Sequence, residues 1–185
     1  MPRSVLVPTL GTCAMAFALM LAAPIQAQAP SDVANTADVA SVDAIITALY
    51  DVISGPMGQD RDRARFLSLF AEGARLIPTG RNQQGRVGFN TLTPQEYWTN
   101  SAEQLKNIGF TEDEIGRTTE TFGNITHAFS TYASFRQDRG DPDTAFSRGI
   151  NSIQLLNDGD RWWVISVFWD SERPDNQIPS RYIGR

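Results

Sequence analysis

The chain has 185 residues, with 21 acidic against 16 basic side chains and a formal charge of −5. Lys106 is its only lysine and no basic cluster occurs, which argues against a nucleic-acid or anionic-membrane surface as partner. A single cysteine, Cys13, and a single histidine, His127, exclude an intrachain disulfide and zinc sites built from these two residue types.

The chain starts Met1-Pro2-Arg3 and continues with an apolar run from Val5 to Ala23, then small residues up to Ala29. One positive charge, an apolar stretch and a small-residue exit read as a secretory signal peptide over residues 1–27 rather than a retained anchor. Cleavage after Ala27 would remove Cys13, so the exported protein would lack cysteine and rely on its core alone. Its charge would go from −5 to −6, since Arg3 leaves and no acid does. The expected location is the periplasm or the cell exterior, with no membrane contact after cleavage. Residues 28–40 lack periodicity and read as a flexible lead-in, and 41–185 read as one domain.

Ser41 is placed to cap a helix over Val42–Ser54, whose Val42, Ile45, Ile46, Leu49, Val52 and Ile53 recur at helical spacing. Gly55-Pro56 stops it, and Tyr50 sits beside its apolar stripe. A second helix is expected from Asp60 to Ala71 with Gly73 as terminator, followed by a short extended segment Arg75–Pro78. Residues 81–92 read as a polar loop or a weak hairpin. Thr93-Pro94-Gln95-Glu96 is a capping box with proline at the first helical position, and its helix should run to Ile108 and end at Gly109.

The rest is strand-rich. Glu112–Phe122 and Ile125–Arg136 are joined at Gly123-Asn124, a hairpin turn pair. A polar loop, 137–143, leads to a second hairpin in which Arg148–Leu156 and Arg161–Asp170 flank Asp158-Gly159. In the last strand Trp163, Ile165, Val167 and Trp169 alternate with Trp162, Val164, Ser166 and Phe168, so both faces are largely apolar and both need cover. Residues 171–176 read as loop. Helices early and strands late predict an α+β domain, three helices on one face of a curved antiparallel sheet.

The chain resembles the nuclear transport factor 2-like superfamily and, within it, the SnoaL-like proteins. The residues that carry the resemblance are Leu49-Tyr50-Asp51, Phe66–Phe70 leading to Ala74–Ile77, the Gly123-Asn124-Ile125 turn and the Asp158–Ile165 hairpin. It implies a cone-shaped, cystatin-like fold with a pocket at the open end, and frequent homodimers through the outer sheet face. The superfamily includes isomerases, cyclases and dehydratases alongside members without assigned activity, so it fixes no reaction.

Candidate chemistry is sparse. No Gly-x-Ser-x-Gly elbow and no dinucleotide fingerprint occurs, and no cofactor is expected. Asp138, Asp141 and Asp143 lack the spacing of an EF-hand loop and read as a solvated turn rather than a metal site. Relatives of the ketosteroid-isomerase type use a carboxylate base beside a tyrosine hydroxyl. Tyr50 suits the tyrosine, but no aspartate can be placed as base or acid.

His127 shares a strand face with Ile125, Phe129, Thr131, Ala133 and Phe135 and is the catalytic candidate if that face looks into the cone. The alternative is a histidine satisfied by backbone or by Glu114. Arg148, if buried, needs a carboxylate, with Glu114 and Asp170 as candidates. Tyr50, Phe66, Tyr97, His127, Phe129, Arg148 and Trp169 form the expected pocket. The leading expectation is a cone that binds a small apolar ligand. The alternatives are an isomerase or hydratase using His127 with Tyr50 or Arg148, and a dimeric interaction module.

Overall fold

The computed structural model describes residues 34–184, so the signal peptide expected over 1–27 lies outside the described residues. Three α-helices, α1 (Val42–Ile53), α2 (Arg63–Ser68) and α3 (Pro94–Ile108), accompany six strands. The strands are β1 (Phe70–Arg81), β2 (Val87–Phe89), β3 (Thr111–Phe122), β4 (Ile125–Phe135), β5 (Ser147–Asn157) and β6 (Trp162–Ser171). They form one curved sheet in the order β2-β1-β6-β5-β4-β3. All neighbours are antiparallel except β1 and β6, which pair in parallel.

The two expected caps form. Ser41 accepts from the Ala44 amide at the start of α1. Thr93 and Glu96 close a full capping box on α3, and Gly109 ends it in the left-handed conformation at φ 60°. A cap contributes about 1 kcal/mol, whereas burying each of Ile45 and Ile46 contributes roughly 1.5–3 kcal/mol. Packing therefore holds α1 more than its ends do. These isoleucines meet Phe66 and Leu69 from around α2, and Ala128, Ile153, Leu155 and Val164 from the sheet.

Residues 34–40 are not the flexible lead-in expected. A 3-10 turn, Thr36–Val39, lies on α1 with Ala34 and Val39 buried. Asp38 is held by Arg65 of α2, with Nε to Oδ2 at 2.8 Å and Nη2 to Oδ1 at 3.1 Å. The same guanidinium reaches Asp51 of α1, so one arginine ties three segments together. Low periodicity there reflects a single turn, too short to show a repeat.

Helix α2 is shorter than expected, and the chain enters β1 at Phe70. Leu69-Phe70-Ala71 is an apolar run that suits either state, and pairing with β6 decides it. Gly73 does not end the helix. It sits at φ 79° in a bulge of β1, between the pairs Phe70↔Val164 and Arg75↔Ser166. Pro78 does not end the strand either, since it pairs with Trp169 and its carbonyl accepts from Asn90. Residues 81–92 take the hairpin alternative: β2 pairs with β1 from Thr79↔Phe89 to Arg81↔Val87, across a turn closed by the Asn82 side chain.

The alternation expected in β6 breaks at Ile165. Opposite it, β5 moves one residue, Gln154 to Leu155, while β6 moves two, Ser166 to Val164. This bulge puts Trp162 and Val164 on the same face as Val167 and Trp169, all packed into the core. Ile165 and Phe168 are left exposed. Trp163 lies with them, under the Arg161 guanidinium at 3.6 Å and donating to Asp158 at 2.6 Å. Neither set of alternate residues is the inner one throughout.

Part of the outer sheet face is covered by the chain's own C-terminal segment. Thr131 donates to the Tyr182 carbonyl at 2.7 Å, the Gly184 amide donates to Ile115, and Tyr182 packs edge-on to Phe129. A Cβ at Gly116 would lie 2.4 Å from the Tyr182 carbonyl oxygen, so this seat requires bare backbone.

Candidate active site

Between the helices and the inner sheet face lies a cavity of about 340 Å³. Helix α1 contributes Leu49, Tyr50 and Ile53, α2 contributes Phe66, and α3 contributes Tyr97, Ser101 and Leu105. The sheet adds Glu112, Tyr132, Ser134, Asn151 and Trp169. Phe66 is almost fully buried and ties the aromatic wall together, 5.7 Å from Tyr97 and 5.2 Å from Trp98 between ring centroids. Trp169 meets Tyr97 edge to face at 6.3 Å. The volume and the apolar walls are those of a small-molecule site.

Glu112, near the start of β3, is the acid of this cavity. Part of its side chain opens onto the cavity, and protein surrounds it on the remaining sides. One carboxylate oxygen accepts from Ser134 at 2.7 Å. Burial pushes its pKa from 4.5 up to about 7, against the pull of hydrogen bonds from Ser134 and Asn151 and with a small push from the charge of Asp113. Among the described residues no cation is paired with it. The cavity's guanidinium, Arg136, is engaged elsewhere, gripping Asp138 through two 2.6 Å hydrogen bonds and lying over Phe146.

The tyrosines differ in what they can still donate. Ser130 gives its one proton to Glu114 at 2.5 Å. Tyr50 therefore donates to Ser130 at 2.7 Å, and its oxygen accepts from the Asn151 amide at 3.1 Å. Its proton is committed. Burial pushes its phenol well above the ordinary range, and the charges of Glu112 and Glu114 add to this. Tyr132 pairs with Ser171 at 3.1 Å. The Tyr97 hydroxyl has no partner among the described residues, and burial, then the nearby charge of Glu112, push it upward too. Tyr97 is thus the phenol free to donate to a guest.

Of the expected pocket residues, Tyr50, Phe66, Tyr97 and Trp169 converge on the cavity. His127, Phe129 and Arg148 do not. In β4 the inward residues are Ala128, Ser130, Tyr132 and Ser134, so His127 and Phe129 face outward by parity. His127 pairs with the Ser152 hydroxyl at 2.9 Å, which matches the satisfied-histidine alternative with a different partner. Arg148 is partly exposed, and its carboxylate is Glu172 at 3.6 Å rather than Glu114 or Asp170.

Glu112 is not among the site residues that the sequence points to. A lone glutamate at a strand start carries no motif, and its burial depends on α1, α3, β4 and β5 meeting around it.

No family model matches the chain, and no curated protein matches it. Among solved structures, a protein of unknown function with a cystatin-like fold from Nostoc punctiforme aligns at a TM-score of 0.52 and 9% identity, over 72% of this chain and 90% of its own. A protein described as a calcium/calmodulin-dependent protein kinase II association domain from Xanthomonas campestris aligns at 0.53 and 12% identity, over 72% and 86%. One described as a ketosteroid isomerase from Parabacteroides distasonis aligns at 0.47 and 12%, over 78% and 98%. The described residues therefore have the cystatin-like fold, an α+β architecture as the sequence led one to expect.

Proposed function

We propose that this protein binds a small, mostly apolar molecule in its cavity, with one polar group of the guest directed at Glu112. The observation that carries the reading is the juxtaposition of an aromatic-walled space of about 340 Å³ with a single acid not paired to a cation among the described residues. The test is a thermal-shift series with cyclic alcohols and aromatic compounds of increasing size. A guest at a hundred times its Kd stabilises by about 2.7 kcal/mol. A flat response across the series would overturn the reading.

We place the protein outside the cytoplasm, on the apolar run and small-residue exit of residues 1–27. A homodimer would use the outer sheet face, where Ile165 and Phe168 are exposed.

A second reading, proton-transfer catalysis, is favoured by one observation. A carboxyl titrating at about 7 is poised as a general base at neutral pH, beside a phenol free to polarise a carbonyl. In this reading Glu112 is the base and Tyr97 the electrophilic support, the roles for which the sequence offers His127 and Tyr50. Solvent deuterium should then exchange into the carbon next to the carbonyl of a cyclic ketone such as 2-phenylcyclohexanone. Glu112→Gln should abolish this exchange; an unchanged rate would discard the reading.

A further inference from the structure

The acid in the cavity poses a question of charge. Buried carboxylates are stable when a cation meets them, and the described residues supply none to Glu112. Asp113 and Glu114 on its own strand are anions, and Glu114 is paired with Arg117 at 3.1 Å. Tyr50 from α1, Tyr97 from α3 and Tyr132 from β4 are phenols held neutral. Arg136 at the end of β4 is neutralised by Asp138. Ser134 and Asn151 are uncharged. With Glu112 ionised, the cavity carries one uncompensated negative charge.

Its walls favour the missing partner. Tyr97, Tyr132 and Trp169 line the same space, and the faces of aromatic rings attract a cation most strongly where water is excluded. A chain with a formal charge of −5 also draws cations toward it. An anionic guest would meet the carboxylate without a free cation to receive it. A neutral guest would leave Glu112 either protonated or paying its desolvation.

We propose that the cavity selects organic amines, with the ammonium of the guest on the Glu112 carboxylate and its apolar body against Phe66, Tyr97 and Trp169. This rests on the reading that the cavity binds small molecules, and it assigns the class of guest.

The experiment is calorimetric titration of the protein with three probes that share a phenyl body: 2-phenylethylamine, 2-phenylethanol and 3-phenylpropanoate. At pH 8 the amine should bind at least tenfold more tightly than the alcohol, with the anion weakest. Lowering the pH to 5.5 should weaken the amine about tenfold, as Glu112 takes up its proton, and leave the alcohol unchanged. Glu112→Gln should erase the preference for the amine and keep the alcohol's affinity.

An alcohol binding as tightly as the amine, or an amine preference that survives Glu112→Gln, would overturn the assignment while leaving the cavity a binding site. Failure of all three probes together with a flat thermal-shift series would remove both. If the glutamine variant proved unstable, the pH dependence of the unmodified protein would decide alone. An amine affinity that stayed constant from pH 5.5 to 8 would overturn the proposal.

Discussion

Replacing Glu112 with glutamine is expected to stabilise the protein at pH 8 by about 2–3 kcal/mol, and to change little at pH 4. The sign follows from proton uptake. An unfolded chain releases the Glu112 proton near 4.5, while the folded chain holds it until about 7. Between those values the folded state binds more protons than the unfolded one, so stability falls as the pH rises through that window. Above about 7 the full cost of a buried charge is present; below 4.5 both states are protonated and it is absent.

Glutamine keeps the volume and can still accept from Ser134, so the charge is what the substitution removes. Denaturant titrations of both proteins at pH 4, 6 and 8 would measure the effect. A variant less stable than the parent at pH 8 would mean that the carboxylate is satisfied inside the fold. The case for an unpaired acid would then fall.

Truncating Phe66 to alanine is expected to cost about 3–5 kcal/mol, the largest single loss in the helical layer. The ring is 1% exposed and lies 4.9 Å from Phe70, 5.7 Å from Tyr97 and 5.2 Å from Trp98 between centroids. Removing it deletes transfer energy and leaves a void that joins the cavity. The midpoint in denaturant should fall with the slope unchanged. A loss below about 1 kcal/mol would show that the wall closes over the gap, and that the cavity is not held open by its own packing.

The sequence made the fold legible wherever a local rule had one answer. Thr93-Pro94-Gln95-Glu96 started a helix, Gly109 ended it, and Gly123-Asn124 and Asp158-Gly159 turned hairpins, because each depends only on neighbouring backbone. Elements governed by distant pairing were harder to read. Leu69-Phe70-Ala71 suits a helix or a strand, and β6, far along the chain, chooses the strand. The bulge at Ile165 has no glycine or proline to mark it, yet it decides which tryptophans face inward.

The site divides in the same way. Four of its aromatic walls follow amphipathic patterns in the sequence. Its acid does not, because what sets Glu112 apart from the other glutamates is its place in the cavity wall, which distant elements complete. His127 stands out in the sequence as the only histidine, and strand parity turns it outward.

The parallel pairing of β1 with β6 bears on how the chain acquires its structure. Strand β1 is made early, but its long edge is completed only by β6, the last strand. Until then β1 and the short β2 form an isolated hairpin, which is marginal alone in water. The antiparallel run from β3 to β5 can zip through local turns, whereas closure of β1 on β6 joins residues as distant as Phe70 and Val164 and carries the entropy of that loop. Assembly is therefore expected to be slow at this seam. The cavity, which has Leu76 of β1 and Val167 and Trp169 of β6 among its walls, would exist only after this seam shuts.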